Sequence, residues 1–286
     1  MQHRTFADPI PLPQFPSHRP GCTLCPLHKT ARHVGIGLHR LPDSLAPLPS
    51  SPALLVVGQN PGYWENACGT PFVGKSGQAL QSVYLDAAKL HPSVTIYVTN
   101  TARCFHGNGD NVPNPVYRAC SPYLLNDIKH LLASHCSLTL LLLGGPAVTH
   151  TLKLLDPSQK KPTLKALLKR QGLQLPFPPP IPVPKRKPRK TPPIPPPATG
   201  SPSTETSPRS GMQEPTPGLE DGRGVLTIFG TYHPAFMLRD LNACHAIGGH
   251  MHLLAAHVHG TMPLPSRPDF RSYHDPVPPV HPQAQG

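Results

Sequence analysis

Four short apolar runs, at 53–57, 95–99, 138–143 and 225–230, are rich in aliphatic and β-branched residues and bounded by Gly, Pro, Asn or Ser. The runs predict buried strands, because a strand covered on both faces loses the alternation of polar and apolar positions. Between them, apolar residues recur at helical spacing near 76–90, 115–134 and 146–155. Alternating strand and helix predicts the α/β class, as a three-layer sandwich with a central four-stranded parallel sheet flanked by helices. A last helix is expected at about 240–259, where Leu241, Ala243, Ile247, Met251, Leu254, Ala255 and Val258 fall mostly on one face and would close the sheet at its edge.

Composition limits how much of the chain can pack. Among 286 residues there are 43 prolines, and only 37% are hydrophobic. The expected organisation is a disordered tail at 1–20, one domain at 21–260 and a second disordered tail at 261–286. A Pro-rich basic insertion at 176–224, nearly free of large apolar residues, is expected to interrupt the domain as a disordered segment. Lys and Arg number 26 against 14 Asp and Glu, a formal charge of +12, which favours a polyanion such as nucleic acid as partner. Ten of those cations lie between Lys160 and Lys190, so the folded part is less basic than the total. The amino terminus shows no apolar signal core, and the longest aliphatic run is far too short to span a bilayer. A soluble, cytoplasmic, non-secreted protein acting as a monomer is expected, with its seven cysteines reduced and available for packing or a metal.

The candidate chemistry concentrates in Gly58–Gly77, GQNPGYWENACGTPFVGKSG, which follows the first long strand directly. In an open parallel sheet ligands collect beyond the carboxyl ends of the strands. There Gly58 and Gly62 permit close backbone approach, and Pro61 stiffens the turn. Gln59 and Asn60 supply amide groups and Phe72 an aromatic face, the means of holding a planar nucleobase. The stretch from Gly69 to Ser76 also matches the phosphate-loop expression, but it does not follow its strand directly, and Pro71 and Phe72 stand where backbone amides would have to curl round a phosphate. Tyr232-His233-Pro234 follows the last strand and should return to the same sheet edge, which makes His233 a pocket candidate.

Cys22 and Cys25 form a C-x2-C pair, and Cys120 and Cys136 form a second, wider pair, one within and one just beyond the helix expected at 115–134. Four thiolates suit an iron-sulfur cluster or a tetrahedral zinc, and spacing alone does not choose between them.

Together these motifs resemble the uracil-DNA glycosylase superfamily, iron-sulfur (family 4-like) type. The resemblance rests on Cys22-x2-Cys25, GQNPG, GTPFVGKSG, Tyr97-Val98-Thr99-Asn100, the second cysteine pair and TYHPAFMLR, in that order from about Gly21 to Gly260. It implies a DNA glycosylase that flips uracil out of DNA and hydrolyses its N-glycosidic bond, leaving an abasic site in base excision repair. Phe72 would stack on the base, Asn100 would read its Watson-Crick edge, and His233 would stabilise charge on the leaving uracil. Asn60, with Gln59, would handle the attacking water, Glu65 would cover the C5 edge, and Gly58 and Gly62 would shape the slot. Arg239 and Lys75 would contact DNA phosphates. A [4Fe-4S] cluster would sit on Cys22, Cys25, Cys120 and Cys136, with zinc as the alternative. GQNPG replaces the GEAPG usual in family 4, so no carboxylate stands at 59 or 60. That departure keeps open a uracil- or DNA-binding module with little catalysis, and Gly62, which leaves room where a bulkier residue would restrict the pocket, keeps open a glycosylase with relaxed specificity for other deaminated bases.

Overall fold

A computed structural model describes residues 20–41, 51–91, 93–107, 112–159, 161–170, 172–177, 224–240 and 242–260. The expected tail at 261–286 lies outside the described residues, as do almost all of the tail at 1–20 and of the insertion at 176–224.

A 3-10 turn at Pro26–Lys29 precedes strand β1 (His39–Arg40) and strand β2 (Pro52–Gly58). Then come helices α1 (Tyr63–Cys68) and α2 (Lys75–Ala79), a π-helical stretch Leu80–Asp86, strand β3 (Thr95–Asn100) and helix α3 (Asn114–Ser134). Strand β4 (Ser137–Leu143), helices α4 (Gly144–Leu155) and α5 (Leu164–Leu168), and strands β5 (Leu173–Phe177) and β6 (Gly224–Thr231) follow. Helices α6 (Pro234–Met237) and α7 (Ala243–Val258) complete the described chain.

Among the described residues the sheet has six strands rather than the expected four, in the order β1-β3-β2-β4-β6-β5. Its middle four, β3-β2-β4-β6, are parallel and correspond to the four apolar runs. The two additional strands are antiparallel edges: β1 pairs with β3, and β5 with β6.

Pleating sends neighbouring residues to opposite faces, and each face carries its own core. Leu55 and Val57 of β2 pack with Leu140, Leu142 and Ile228 beneath α3, α4 and α5. Leu54 and Val56 pack with Ile96, Val98 and Phe229 on the other side, against Leu80, Tyr84 and Leu85 of the π-helical stretch and Ile247, Met251 and Leu254 of α7. A third, smaller cluster joins Leu27, Ala102, Cys104, Val112, Val116 and Tyr117, with Cys25 packed against it. It ties the amino-terminal segment to the loop after β3 and to the first turns of α3. Among the described residues, no helix is long and apolar enough to cross a membrane.

The chain passes from β2 outward to β3 and then back across to β4 on the other side of β2. That reversal opens a crevice at the carboxyl ends of the central strands, the place where such sheets bind ligands.

Candidate active site

Four loops meet at this edge. The backbone after β2 is locked to the exit of β3: Thr101 and Ala102 donate their amides to the carbonyls of Gly58 and Gln59, at 3.0 and 2.8 Å. The Thr101 hydroxyl donates to the same two carbonyls. In the parallel register Gly58 stands beside Asn100, so the two loops leave the sheet side by side.

Gly58 is where three of the candidate residues come together. A Cβ placed on it would lie 2.5 Å from Asn100 Oδ1 and 2.7 Å from Phe72 Cζ. Any side chain here would fill the space between the amide and the ring, so the missing Cβ makes the slot. Phe72 is buried and has a φ of 59°, a left-handed conformation that is uncommon for an aromatic residue. Strain of this kind costs on the order of 1–3 kcal/mol and persists only where the surroundings enforce it. Part of the enforcement is Gly77, where a Cβ would collide with the Phe72 carbonyl.

His233 approaches from the end of β6. Its Nδ1 accepts the amide hydrogen of Ala235 at 3.1 Å as it caps α6. The backbone beneath the ring is tight: Gly144, with φ of 82°, would bring a Cβ to 3.3 Å of His233 Cβ. The preceding carbonyl, that of Tyr232, accepts the Tyr84 hydroxyl at 3.0 Å. Burial, with a smaller contribution from the Arg239 cation, pushes the His233 pKa down to about 4. The ring is therefore neutral near pH 7, and with Nδ1 accepting, its proton sits on Nε2.

Asn60 donates from Nδ2 to the Pro61 carbonyl at 2.9 Å, which orients its Oδ1 as an acceptor. Gln59, its neighbour, is hydrogen-bonded to the hydroxyl of Tyr117 on α3, and Tyr117 stacks on His150 of α4 with ring centroids 3.6 Å apart. The two adjacent amides thus have separate settings.

Glu65 is buried, and both of its carboxylate oxygens are engaged: Oε2 accepts from the Gly62 amide at 3.0 Å and Oε1 from the Gly74 amide at 2.8 Å. It is a strap between the two motif loops and not an exposed loop carboxylate. The same contact accounts for the phosphate-loop match, since a carboxylate already occupies the Gly74 amide and α1 separates this stretch from β2. Lys75 and Arg239 are exposed, and Arg239 donates from Nε to the Ala235 carbonyl.

The cysteines group differently from the expected set. Cys25 and Cys22 act electrostatically on Cys104, while Cys104 and Cys25 act on Cys120; burial is the largest influence on both and pushes Cys104 up and Cys120 up to about 11. Cys22 Sγ also lies 3.8 Å from the Tyr123 hydroxyl, one turn beyond Cys120. Cys136 is the correction. It is exposed at the amino end of β4, while α3 runs on for 14 residues between Cys120 and Ser134, about 21 Å of helix. A helix of that length cannot bring Cys136 back to the other three. The residue missed was Cys104, four positions beyond Asn100 in the loop that carries the site.

The cysteine group also has donors for negatively charged sulfur. The Gly35 amide donates to Cys104 Sγ at 3.4 Å, and the Arg103 amide to Cys120. Arg103 is 1% exposed and pairs through Nη2 with Asp127 at 2.5 Å, while its Nε and Nη1 have no hydrogen-bond partner among the described residues. No three Cys, His, Asp or Glu side chains among the described residues are gathered as for a single metal ion.

Comparison with known proteins agrees with this geometry. Residues 47–246 match the family model described as the uracil DNA glycosylase superfamily. The chain belongs to that superfamily. Within it, the chain is similar to type-4 uracil-DNA glycosylases from Pyrobaculum aerophilum and Thermotoga maritima, 30% identical to each over 109 residues. These stretches are 37% and 38% of this chain and 49% and 50% of those proteins, so the chain spans about half the length of the curated relatives it matches. The family-4-like character expected from the motifs is thus supported from outside the chain, and the superfamily match takes in the strands β2, β3, β4 and β6 that carry the slot.

Proposed function

We propose that this chain is a monofunctional uracil-DNA glycosylase acting in base excision repair. The observation that carries the reading is the meeting of Phe72, Asn100 and Gly58 in one slot, and a neutral His233 just beyond the carboxyl end of β6 supports it. A uracil base turned out of DNA would stack on Phe72, and the Asn100 amide pairs with O4 and N3–H at once. His233 donates from Nε2 to uracil O2.

The bond that breaks joins C1′ of the sugar to N1 of the base, and its electron pair leaves with the uracil. Negative charge grows on O2 as that happens, so the His233 hydrogen bond strengthens in the transition state. Asn60 Oδ1 holds a water whose oxygen bonds to C1′ and whose proton passes to solvent. An amide accepts no proton, so rate depends on leaving-group stabilisation rather than on a general base.

Cys22, Cys25, Cys104 and Cys120 are the residues that would hold an iron-sulfur cluster. The donor set fits: four thiols, amide hydrogens on two of the sulfurs, and the unpartnered Arg103 donors beside Cys120, where a negative group satisfies them. Such a cluster would brace the amino-terminal segment against α3 and would need no change of oxidation state in the reaction.

One observation favours a second reading, a binding module with little catalysis: the buried carboxylate nearest the slot, Glu65, is held by two backbone amides. Labelled single- and double-stranded DNA carrying uracil, hypoxanthine or xanthine, followed by alkaline cleavage, separates these readings. The proposal expects abasic sites from uracil. Tight binding with no abasic product at high protein concentration contradicts it, and equal excision of all three bases replaces it with relaxed specificity.

A further inference from the structure

Helix α1 turns Glu65 inward and its two preceding residues outward. Tyr63 is 60% exposed and Trp64 58%, among the largest exposures of any apolar side chain described. Their rings meet edge to face, with centroids 5.5 Å apart and planes at 85°. Both rings remain more than half exposed, so much of the indole is open to solvent. The platform is rigid, because the Glu65 carboxylate ties α1 to the Gly74 amide and Trp64 Cδ1 lies 3.5 Å from the Cβ position of Gly74. The next residue, Lys75, is an exposed cation.

The placement is continuous with the slot. Tyr63 and Trp64 stand three and four residues beyond Asn60. Phe236 and Leu238, also exposed, follow His233, so among the described residues four of the six large exposed apolar side chains lie on the two segments that carry Asn60 and His233. A solvent-facing indole beside a cation, on the segment that joins Asn60 to Phe72, has the chemistry of a stacking platform for nucleobases.

We propose that Trp64 stacks on a nucleotide neighbouring the one in the slot and directs the protein toward single-stranded or locally melted DNA. Inside a duplex both faces of a base are covered by its neighbours, so an indole finds an open face only where the strand is unpaired. This assignment rests on the glycosylase reading and specifies its substrate.

The test uses Trp64 itself, the one tryptophan of the chain, whose intrinsic fluorescence reports on its own surroundings. Uracil-free oligonucleotides of one sequence, single-stranded and duplex, are titrated into the full-length protein, with affinity read in parallel from fluorescence anisotropy of labelled DNA. Saturating single strands should quench Trp64 strongly and duplex weakly. Trp64→Leu should weaken single-strand binding by on the order of tenfold or more. Trp64→Phe should restore most of that affinity, and Val83→Ala, an exposed apolar change elsewhere, should leave it unaltered. A wild-type protein that releases uracil but binds single strands without quenching, or a Trp64→Leu protein with wild-type affinity, overturns the Trp64 assignment alone. A protein that neither binds DNA nor releases uracil overturns the reading beneath it as well.

Discussion

His233 Nδ1 accepts the amide hydrogen of Ala235 at 3.1 Å, and this one bond fixes which nitrogen of the ring carries the proton. With Nε2 as the donor and a pKa of about 4, the imidazole offers a neutral hydrogen bond to the base. His233→Ala should slow uracil excision about a hundred- to a thousandfold, the usual loss for a donor to developing charge. Single-turnover rates with saturating DNA give the comparison, with circular dichroism verifying the fold.

The depressed pKa also fixes a pH dependence. The unfolded chain binds a proton on this ring below about pH 6.5, and the native state does so only near 4. Stability from this group is therefore fully present above pH 6.5 and is lost as pH falls through the window to about 4, with a slope of at most about 1.4 kcal/mol per unit. Urea denaturation at pH 7, 6, 5 and 4 should show the decline in wild type and a shallower one in His233→Ala. Excision should show no step at pH 6.5 from this ring.

Gly58 is a steric requirement of the slot. Gly58→Ala would put a methyl group 2.5 Å from Asn100 Oδ1 and 2.7 Å from Phe72 Cζ. Excision should fall at least a hundredfold, since displacing positioned groups by about an ångström has this effect. Because β2 is otherwise unchanged, thermal unfolding should remain cooperative.

Glu65 joins the two motif loops through two amides. Glu65→Ala leaves both donors without their charged acceptor and should cost roughly 2–4 kcal/mol, given about 1.5–3 kcal/mol for a hydrogen bond to a charged group. Denaturant midpoints measure the cost, and Glu65→Gln should recover part of it through its single carbonyl oxygen.

Cys104 and Cys136 have opposite expected outcomes. Cys104→Ser should lose iron and the brown absorbance near about 400 nm, while Cys136→Ser, exposed at the far end of α3, should keep both. Iron analysis of anaerobically purified proteins decides the matter.

The parallel core of the sheet was legible because its strands are continuous apolar runs, and β2, β3, β4 and β6 lie within a residue or two of the expected positions. The edge strands were not. β1 has two residues, too few for any pattern, and β5 contains Pro176 at the border of the Pro-rich segment, where its ladder faces only β6. The helix expected at 76–90 begins as α2 and widens into a π-helical stretch, a change in hydrogen bonding that apolar spacing does not encode.

At the site, chain position announced the meeting of Gly58, Phe72 and Asn100, since Gly58 and Asn100 end neighbouring strands and Phe72 follows a Gly-Thr-Pro turn in the loop after β2. Tertiary contacts decided the rest. Gln59 and Asn60 are neighbours of similar chemistry, and only the position of Tyr117 on α3 separates them. Glu65 had a local sign in the Gly62-x-x-Glu65 capping-box spacing, which predicts a carboxylate turned back on its own backbone. Cys104 carries no local sign, because only the packing of the loop after β3 against the amino-terminal segment and the first turns of α3 brings it to Cys25.

The central claim is that this edge of the sheet breaks the bond between uracil and deoxyribose. Its most direct measurement is free uracil, quantified in single turnover from single-stranded uracil-DNA with wild-type, Asn60→Ala and His233→Ala proteins. Stoichiometric uracil from wild type and release at least a hundredfold slower from both variants is the predicted result. No uracil from an iron-loaded wild-type protein, or undiminished release from either variant, would contradict it.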